Sequence, residues 1–327
     1  MNVNLIDFDG KIPNLALMKL STAFKQNGDT VSLNANGGQY DAVVCSVLFT
    51  WNRDKASTLR TIYSNIIFGG TGWNITTTLP PEVEICKPDY DLYTADLLYP
   101  RIKGIMKQST RMAKAQVLVD AGIGFTSRGC IRKCGFCVVP KKEGHLHQET
   151  EIKDIINPRS NVIILLDNNL TADPDCLEKL REIKERKLIV DITQGIDVRL
   201  MTPEIAKALS EVKHMRSIHY AWDFIQSENQ VFKGLNILNR FVPRSKHMCF
   251  CLAGYDTTPE DDEYRFRKLV EAKIDPYIMI YNHVEDSRLK HWARWVNGRI
   301  YKTCSFEEYK PWVKQRSSGE LQFAAQM

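Results

Sequence analysis

Residues 124–140 read GFTSRGCIRKCGFCVVP and hold three cysteines within one short stretch, in a C-x3-C-x2-C spacing: Cys130, Cys134 and Cys137. Thiolates crowded into one loop repel each other, so they need a cation, and thiolate ligands suit zinc and iron–sulfur clusters. Three basic residues of the loop would offset part of that charge: Arg128, Arg132 and Lys133. The segment therefore predicts a metal centre.

Strands and helices alternate after this loop. Apolar and β-branched runs predict strands at 117–125, 161–166, 187–192, 216–221, 246–252 and 276–281. Helices are predicted between them at 149–156, 175–186, 203–212, 226–239 and 260–272. Six βα units make a partial (βα)6 barrel, since a complete barrel would be longer. Because barrels place active sites at the carboxyl ends of strands, the cysteine loop lies where catalysis is expected.

The preceding residues also alternate. Strands are predicted at 2–8, 30–33, 42–50 and 65–68, with helices at 13–26 and 55–63. This order predicts a parallel sheet with helices on both faces. A glycine-rich turn at 69–72 follows the last strand, where such sheets bind ligands, so it is either a ligand loop or an ordinary tight turn.

We therefore expect four regions. Residues 1–97 form a parallel-sheet α/β domain, 98–116 a linker, 117–283 the barrel and 284–327 an aromatic-rich extension. The linker holds a basic run at 101–114, expected to be a solvated helix face or a contact to an anionic substrate. The extension is expected to close the open side of the barrel with its aromatic residues: Trp292, Trp295, Tyr301, Phe306, Tyr309 and Trp312.

Composition excludes several classes of protein. The 327 residues are 43% hydrophobic and 25% charged, as in ordinary globular proteins. The net charge of +5 is spread along the chain, so no dedicated nucleic-acid module is indicated. The acidic start MNVNLIDFDGK does not resemble a signal peptide, and no apolar run is long enough for a membrane helix, so we expect a cytoplasmic location. Nine cysteines in such a chain do not indicate disulfides.

The cysteine loop resembles the signature of the radical S-adenosylmethionine (radical SAM) superfamily, in both its spacing and the aromatic residue before its last cysteine. In that superfamily three cysteines bind three irons of a [4Fe–4S] cluster, and the fourth iron takes the amino and carboxylate groups of SAM. The resemblance thus implies a cluster on Cys130, Cys134 and Cys137. Three protein ligands leave the open position that a catalytic metal site requires.

The resemblance covers residues 120–285 and implies contacts to SAM. Phe136 stands where relatives place a backbone contact to adenine, and Gly254 in LAGYDTTPEDD would allow close approach to the same ring. Residues 165–169 (LLDNN) replace a Gly-Gly-Glu-like motif for the methionine amino group. That role would fall to one of three residues: Asp167, Asn168 or Asn169. Further implied contacts follow the third and fourth strands: Gln194, Asp197, Arg199 and Asp223.

The amino-terminal region resembles the flavodoxin-like or cobalamin-binding-like domain that precedes the barrel in some members. The likeness lies in PNLAL at the first helix, NGDTV at the next turn and GGTG at 69–72. Cobalamin binders often supply a histidine to cobalt, whereas the first histidine of this chain is His145. Either cobalamin binds without that ligand or the domain is a structural remnant.

The sequence thus predicts a radical SAM enzyme that cleaves SAM reductively to a 5′-deoxyadenosyl radical, which activates a C–H bond of an unidentified substrate. With cobalamin, the expected outcome is methyl transfer. An external electron donor of the flavodoxin or ferredoxin type is implied. The alternative is a non-enzymatic protein with a structural iron–sulfur or zinc site, with His145 or His147 as the fourth zinc ligand. Cys249 and Cys251 are expected to be packing residues, with an auxiliary cluster or a radical relay as the alternative. Cys304 is expected to pack in the core or to contact substrate.

Overall fold

The computed structural model describes residues 1–283 and 286–310. Its strands are β1 Asn2–Asp7, β2 Thr30–Leu33, β3 Ala42–Ser46, β4 Ile66–Gly69, β5 Gly122–Gly124, β6 Ser127–Arg128, β7 His147–Gln148, β8 Val162–Leu165, β9 Ile189–Ile192, β10 Lys213–His214, β11 Ile218–Ala221, β12 His247–Ala253 and β13 Asp275–Ile280. Its α-helices are α1 Leu15–Gln26, α2 Arg53–Ser57, α3 Pro81–Glu84, α4 Ala95–Leu98, α5 Gln108–Asp120, α6 Val139–Lys142, α7 Ile152–Ile155, α8 Cys176–Glu185, α9 Pro203–Glu211, α10 Glu228–Leu238, α11 Pro259–Glu271 and α12 Ser287–Asn297. Within these ranges, no helix has the length and apolar character needed to cross a bilayer.

The amino-terminal strands form a parallel sheet in the order β2-β1-β3-β4. This order matches the first four strands of a doubly wound flavodoxin-type sheet. Helix α1 begins after Asn14, whose side chain accepts hydrogen bonds from the backbone N–H groups of Ala16 and Leu17. The crevice where the strand order reverses lies beyond the carboxyl ends of β1 and β3, and this is where such sheets bind ligands.

Six later strands run parallel in chain order, β5, β8, β9, β11, β12 and β13, and a seventh, the two-residue β10, pairs with β9. One sheet has the order β10-β9-β8-β5, and a second has the order β11-β12-β13. A parallel bridge between Ile196 and Tyr220 joins the residues after β9 to β11. The predicted parallel α/β class is confirmed, whereas the boundaries of the four regions stay predictions. All six carboxyl ends meet at one edge, where polar side chains follow the strands.

The strand predicted at 117–125 is wrong in its first part. Residues 117–120 belong to α5, and the strand covers only Gly122–Gly124. Ala115, Leu118 and Val119 are buried at helical spacing in a core shared with β1 and α1, so packing decides the conformation of this β-branched run. The predicted linker therefore contains much of a packed helix.

A buried ion pair links the shared core to the end of β1. The Asp7 carboxylate is fully buried, and its Oδ2 accepts hydrogen bonds from Arg101 Nη1 at 2.5 Å and Tyr93 Oη at 2.8 Å. Arg101 Nη2 also donates to the Asp7 carbonyl at 3.1 Å. Arg101 is the first residue of the predicted basic run 101–114. It forms a buried structural ion pair and does not belong to a solvated helix face.

We predict that Arg101→Met lowers the free energy of unfolding by about 3 kcal/mol, because it leaves the buried Asp7 carboxylate without its cation. Urea unfolding measures the change. Arg159→Met is the matched control, since Arg159 pairs with Asp91 on the surface, where ion pairs contribute little. Equal effects of the two substitutions would contradict the role given to Arg101.

His247 is held between β11 and α10 in the core. The Tyr220 hydroxyl donates to His247 Nδ1 at 2.8 Å, and His247 Nε2 donates to Asn239 Oδ1 at 3.0 Å. Burial, assisted by the positive charge of Arg244, lowers the pKa of His247 to about 4 from its ordinary 6.5. The folded protein therefore keeps a neutral imidazole at pH values where the unfolded chain protonates it.

We predict that the free energy of unfolding decreases as the pH falls from about 6.5 to about 4. In this range His247 binds a proton in the unfolded chain but stays neutral in the folded protein. His247→Gln should make the loss between about pH 7 and about pH 5 smaller in urea titrations. The loss should not vanish, since burial also lowers the pKa of His214 and the pKa of His219. An unchanged pH dependence in His247→Gln would refute this assignment.

Candidate active site

The cysteine loop lies between two short paired strands. β6 and β7 are antiparallel, with Ser127 opposite Gln148 and Arg128 opposite His147, so the chain from 129 to 146 closes into a lobe. Gly129 opens the lobe with φ +82°, and a Cβ there would lie 2.3 Å from the His145 carbonyl oxygen. Glycine is therefore required at this position for the two arms of the lobe to meet.

The structure brings the three cysteines to a single pocket. Cys130, Cys134 and Cys137 are half-buried free thiols, and all three line it. The opposite walls come from the segments that follow the parallel strands: Asn168 and Asn169 after β8, Gln194, Asp197 and Arg199 after β9, and Ala221 and Phe250 in β11 and β12. Predicted residues of three separate sequence segments, the cysteine loop, 168–169 and 194–199, thus meet in this pocket.

Burial and neighbouring groups favour the protonated form of two of the thiols, Cys134 and Cys137. Burial raises the pKa of Cys134, and although Arg199 opposes this, the neighbouring thiols and Asp223 add to the increase. Burial likewise raises the pKa of Cys137, against a hydrogen bond from the Val139 N–H. A metal bound to the sulfurs would reverse this balance by stabilising the thiolates. The donor set therefore fits a thiolate-bound metal centre.

A charged network ties the loop to the end of β9. Arg132 Nε donates to Asp197 Oδ2 at 2.9 Å, and Arg199 Nε donates to Asp197 Oδ1 at 2.6 Å. Burial would raise the pKa of Asp197, but Arg199 and Arg132 outweigh it and hold that pKa below its ordinary value. Asp197 is thus an anion paired with two guanidinium groups, and Arg199 stays beside Cys134 with a positive charge. The sequence predicts only charge compensation for Arg132, because it does not show that Asp197 is its partner.

Phe136 lies among aromatic rings at the mouth of the site. Its ring centroid is 5.8 Å from that of Phe224 and 5.6 Å from that of Tyr255. Tyr255 also meets Tyr281 at 4.8 Å, so rings that follow β11, β12 and β13 gather around the loop. Sequence reasoning did not single out Tyr255, although its position beside Gly254 was a usable signal.

Two predicted SAM contacts do not line the pocket, although Asp223 is near enough to add to the raised pKa of Cys134 and of Cys137. The Asp223 carboxylate accepts a hydrogen bond from the Leu252 N–H at 2.9 Å, and burial raises its pKa. Gly254 packs near Leu289, whose Cδ2 would lie 3.1 Å from an added Cβ. Direct contacts from these two residues therefore stay predictions.

Asp167 is fully engaged by the chain that enters the cysteine loop. Its buried carboxylate accepts hydrogen bonds from the N–H and hydroxyl groups of both Thr126 and Ser127, at 2.5–3.0 Å. The carboxylate is fully buried and does not line the pocket, so the expected contact to the methionine amino group does not suit this residue. Asn168 and Asn169 line the pocket, and the same prediction stays open for them.

The crevice of the amino-terminal sheet does not fit a cobalamin. Asp7, Tyr93 and Arg101 occupy the end of β1 with mutual hydrogen bonds. The glycines at 69–72 serve close backbone packing, since an added Cβ at Gly70 would lie 2.4 Å from the Val47 carbonyl oxygen. The chain has no histidine in this half. The loop thus matches the tight-turn alternative, and we derive no step through cobalamin.

The histidines proposed for a zinc site have other contacts. The His147 ring meets the His145 carbonyl at 2.9 Å and faces Glu149 at 3.7 Å. Both histidines are exposed on the far arm of the lobe. Across residues 1–283 and 286–310, no group of three or more His, Cys, Asp or Glu side chains converges as a single-ion site would require. A cluster spreads its thiolates over separate irons, so the pocket suits a cluster better than one zinc ion.

The other predicted residues are packing elements where the structure describes them. Cys249 and Cys251 are buried in the helix-facing core, while His219 stacks on Phe250 at 4.8 Å on the opposite face of the sheet. Cys304 is half-buried, and its carbonyl accepts a hydrogen bond from the Trp295 indole. Carboxyl-terminal rings pack around Phe266. Trp312 lies outside the described residues.

Comparison with known proteins found similarity to solved structures only. No protein-family model matches this chain, and no curated protein is similar to it. The chain is 14% identical to Streptococcus suis SuiB bound to precursor peptide SuiA, over 61% of this chain and 53% of SuiB, with a TM-score of 0.39. For SuiB bound to S-adenosylmethionine, the identity is 14% over 62% of this chain and 51% of SuiB, with a TM-score of 0.36. The chain thus spans about half the length of SuiB.

We predict that Gly129→Ala loses most of the metal that the protein binds after anaerobic incubation with iron and sulfide, because a Cβ there collides with the His145 carbonyl. Gly144→Ala is the matched control. Gly144 also has a positive φ, +72°, but no atom lies within 4 Å of an added Cβ. Metal analysis per chain measures the effect, and equal metal content in both variants would contradict the prediction.

Proposed function

We propose that this chain is a radical SAM enzyme with a [4Fe–4S] cluster on Cys130, Cys134 and Cys137. The observation that carries the proposal is the placement of three half-buried thiols in one pocket at the carboxyl edge of six parallel strands. Three thiolates can hold three irons of a cluster and leave the fourth open to a substrate. When bound, the reduced cluster supplies the electron that cleaves SAM to methionine and a 5′-deoxyadenosyl radical, which removes a hydrogen atom from an unactivated carbon.

The chain itself contributes ligands, charge and shape. The three cysteines would bind iron, and Arg199 would offset part of the negative charge that thiolates and Asp197 bring to the pocket. Gln194 is exposed at the pocket wall, where its amide is available to a polar ligand. Phe136 and the rings around it would cover the adenine of SAM and limit access of water. Such positioning is what a protein adds to the chemistry of a cofactor.

Several finer expectations belong to this proposal. An external donor of the flavodoxin or ferredoxin type would reduce the cluster, and a cytoplasmic location would suit that supply. Cobalamin-dependent methyl transfer is the less favoured outcome, because side chains and a close-packed turn take up the crevice of the amino-terminal sheet. A hydrogen-abstraction reaction without cobalamin fits the residues better.

We predict that protein reconstituted without oxygen binds about four irons per chain and releases 5′-deoxyadenosine from SAM when dithionite is added. Cys134→Ala should abolish the release, because it removes one of three ligands. Cys86→Ala is the matched control, since Cys86 is equally half-buried but lies outside the pocket. Iron analysis and chromatography of the nucleoside products measure both quantities.

Three results would count against the proposal. Zinc bound in place of iron would favour a structural zinc site. A cluster that leaves SAM intact with every reductant would favour a structural or electron-transfer role. Release of 5′-deoxyadenosine by Cys134→Ala at the level of Cys86→Ala would show that the loop is not the site of cleavage.

A further inference from the structure

We propose that Asp167, Asn168 and Asn169 form a clamp that holds residues 126–130, the arm entering the cysteine loop, and that Asn169 directs an N–H group at the sulfur of Cys130. The inference rests on the proposed function in one respect: Cys130 is taken as a cluster ligand. It assigns these residues to positioning the cluster rather than to binding SAM directly.

The three residues of the clamp meet the loop in sequence. Asp167 binds Thr126 and Ser127 through four hydrogen bonds. Asn168 Oδ1 accepts a hydrogen bond from the Gly129 N–H at 2.9 Å, and Asn169 Nδ2 donates to Cys130 Sγ at 3.4 Å. Successive residues of 167–169 thus contact successive residues of 126–130.

Strand pairing explains this register. β5 and β8 are parallel, with Gly124 opposite Leu165, and the Leu166 N–H donates to the Gly124 carbonyl at 2.9 Å. Beyond this bond the residues after β5 and after β8 leave the sheet. Side chains of 167–169 then make the hydrogen bonds to 126–130 in place of the backbone. The clamp therefore continues the sheet outward to the first cysteine.

A neighbouring threonine sets the direction of the Asn169 amide. The Thr171 hydroxyl accepts from the Asp197 N–H at 2.8 Å, and its own hydrogen has two acceptors at 3.2 Å, Asn169 Oδ1 and the Asp197 carbonyl oxygen. With its oxygen engaged there, the amide presents its N–H to sulfur. Only 5% of Asn169 is exposed, so water does not compete freely for this group. The Arg132 N–H is a second donor to the same sulfur, at 3.3 Å.

The hydrogen bond from Asn169 to Cys130 Sγ would also affect the reduction potential of a bound cluster. Hydrogen bonds to ligand sulfurs are one of the factors that set the reduction potential of an iron–sulfur cluster. A donor to a thiolate stabilises the reduced form most, because that form carries more negative charge. Asn169 is therefore expected to raise the reduction potential of the cluster.

The first test of the clamp measures this potential in reconstituted protein, by redox titration with paramagnetic resonance of the reduced cluster. Asn169→Leu and Asn169→Asp should both shift the midpoint potential to more negative values, because each removes the N–H donor and the second also adds an anion. Asn161→Leu is the matched control, since Asn161 stands exposed at the other end of the same strand. A general loss of stability would not shift the potential.

The second test uses protein without metal. Asn168→Leu removes the acceptor of the Gly129 N–H, so amide exchange at residues 126–130 should become about five- to tenfold faster than in wild type. Exchange in a distant strand such as β12 should stay the same. This measurement does not depend on a bound cluster.

The outcomes separate the two proposals. A wild-type protein that takes up no iron would refute the proposed function, while the exchange measurement would still test the clamp. A wild-type protein that cleaves SAM, with unchanged potential in both Asn169 variants, would overturn the sulfur-directed role. Unchanged exchange in Asn168→Leu would overturn the clamp.

Discussion

The mutual repulsion of three thiolates in one loop is the constraint around which this site is built. Burial and neighbouring thiols raise the pKa of Cys134 and the pKa of Cys137, so a scaffold must hold the sulfurs together until a cation stabilises them. The scaffold is the edge of parallel strands. Asp197 anchors Arg132 of the loop, and the segment after β8 binds the arm that leads to Cys130.

The amino-terminal sheet contributes to this scaffold through packing. A single apolar core contains residues of β1 and α1 together with α5, β5 and β8. The amino-terminal sheet therefore packs against the elements that carry β5 and β8. Arg101 secures the same junction by its ion pair with Asp7 at the end of β1. The sheet retains a topology that usually binds ligands, but protein side chains use the polar groups of its crevice.

Sequence reasoning performed best where local chemistry is strong. The metal ligands, the six parallel strands and a helix within 13–26 follow from ligand chemistry and periodicity. It failed at 117–120, because β-branched residues favour a strand locally while the shared core demands a helix. It left the SAM contact open among Asp167, Asn168 and Asn169, because a sequence does not show that the Asp167 carboxylate has four hydrogen bonds within the protein.

The sequence by itself determined the parallel α/β class and the candidate metal ligands, because alternation and thiol spacing are local properties. Only the tertiary structure decided which polar groups are free. Asp167, Asn168 and Arg101 are equally polar in the sequence, yet each has its partner 39–94 residues away in the chain. Such pairing depends on strand register and on which faces share a core, and neither is encoded within a local stretch of residues.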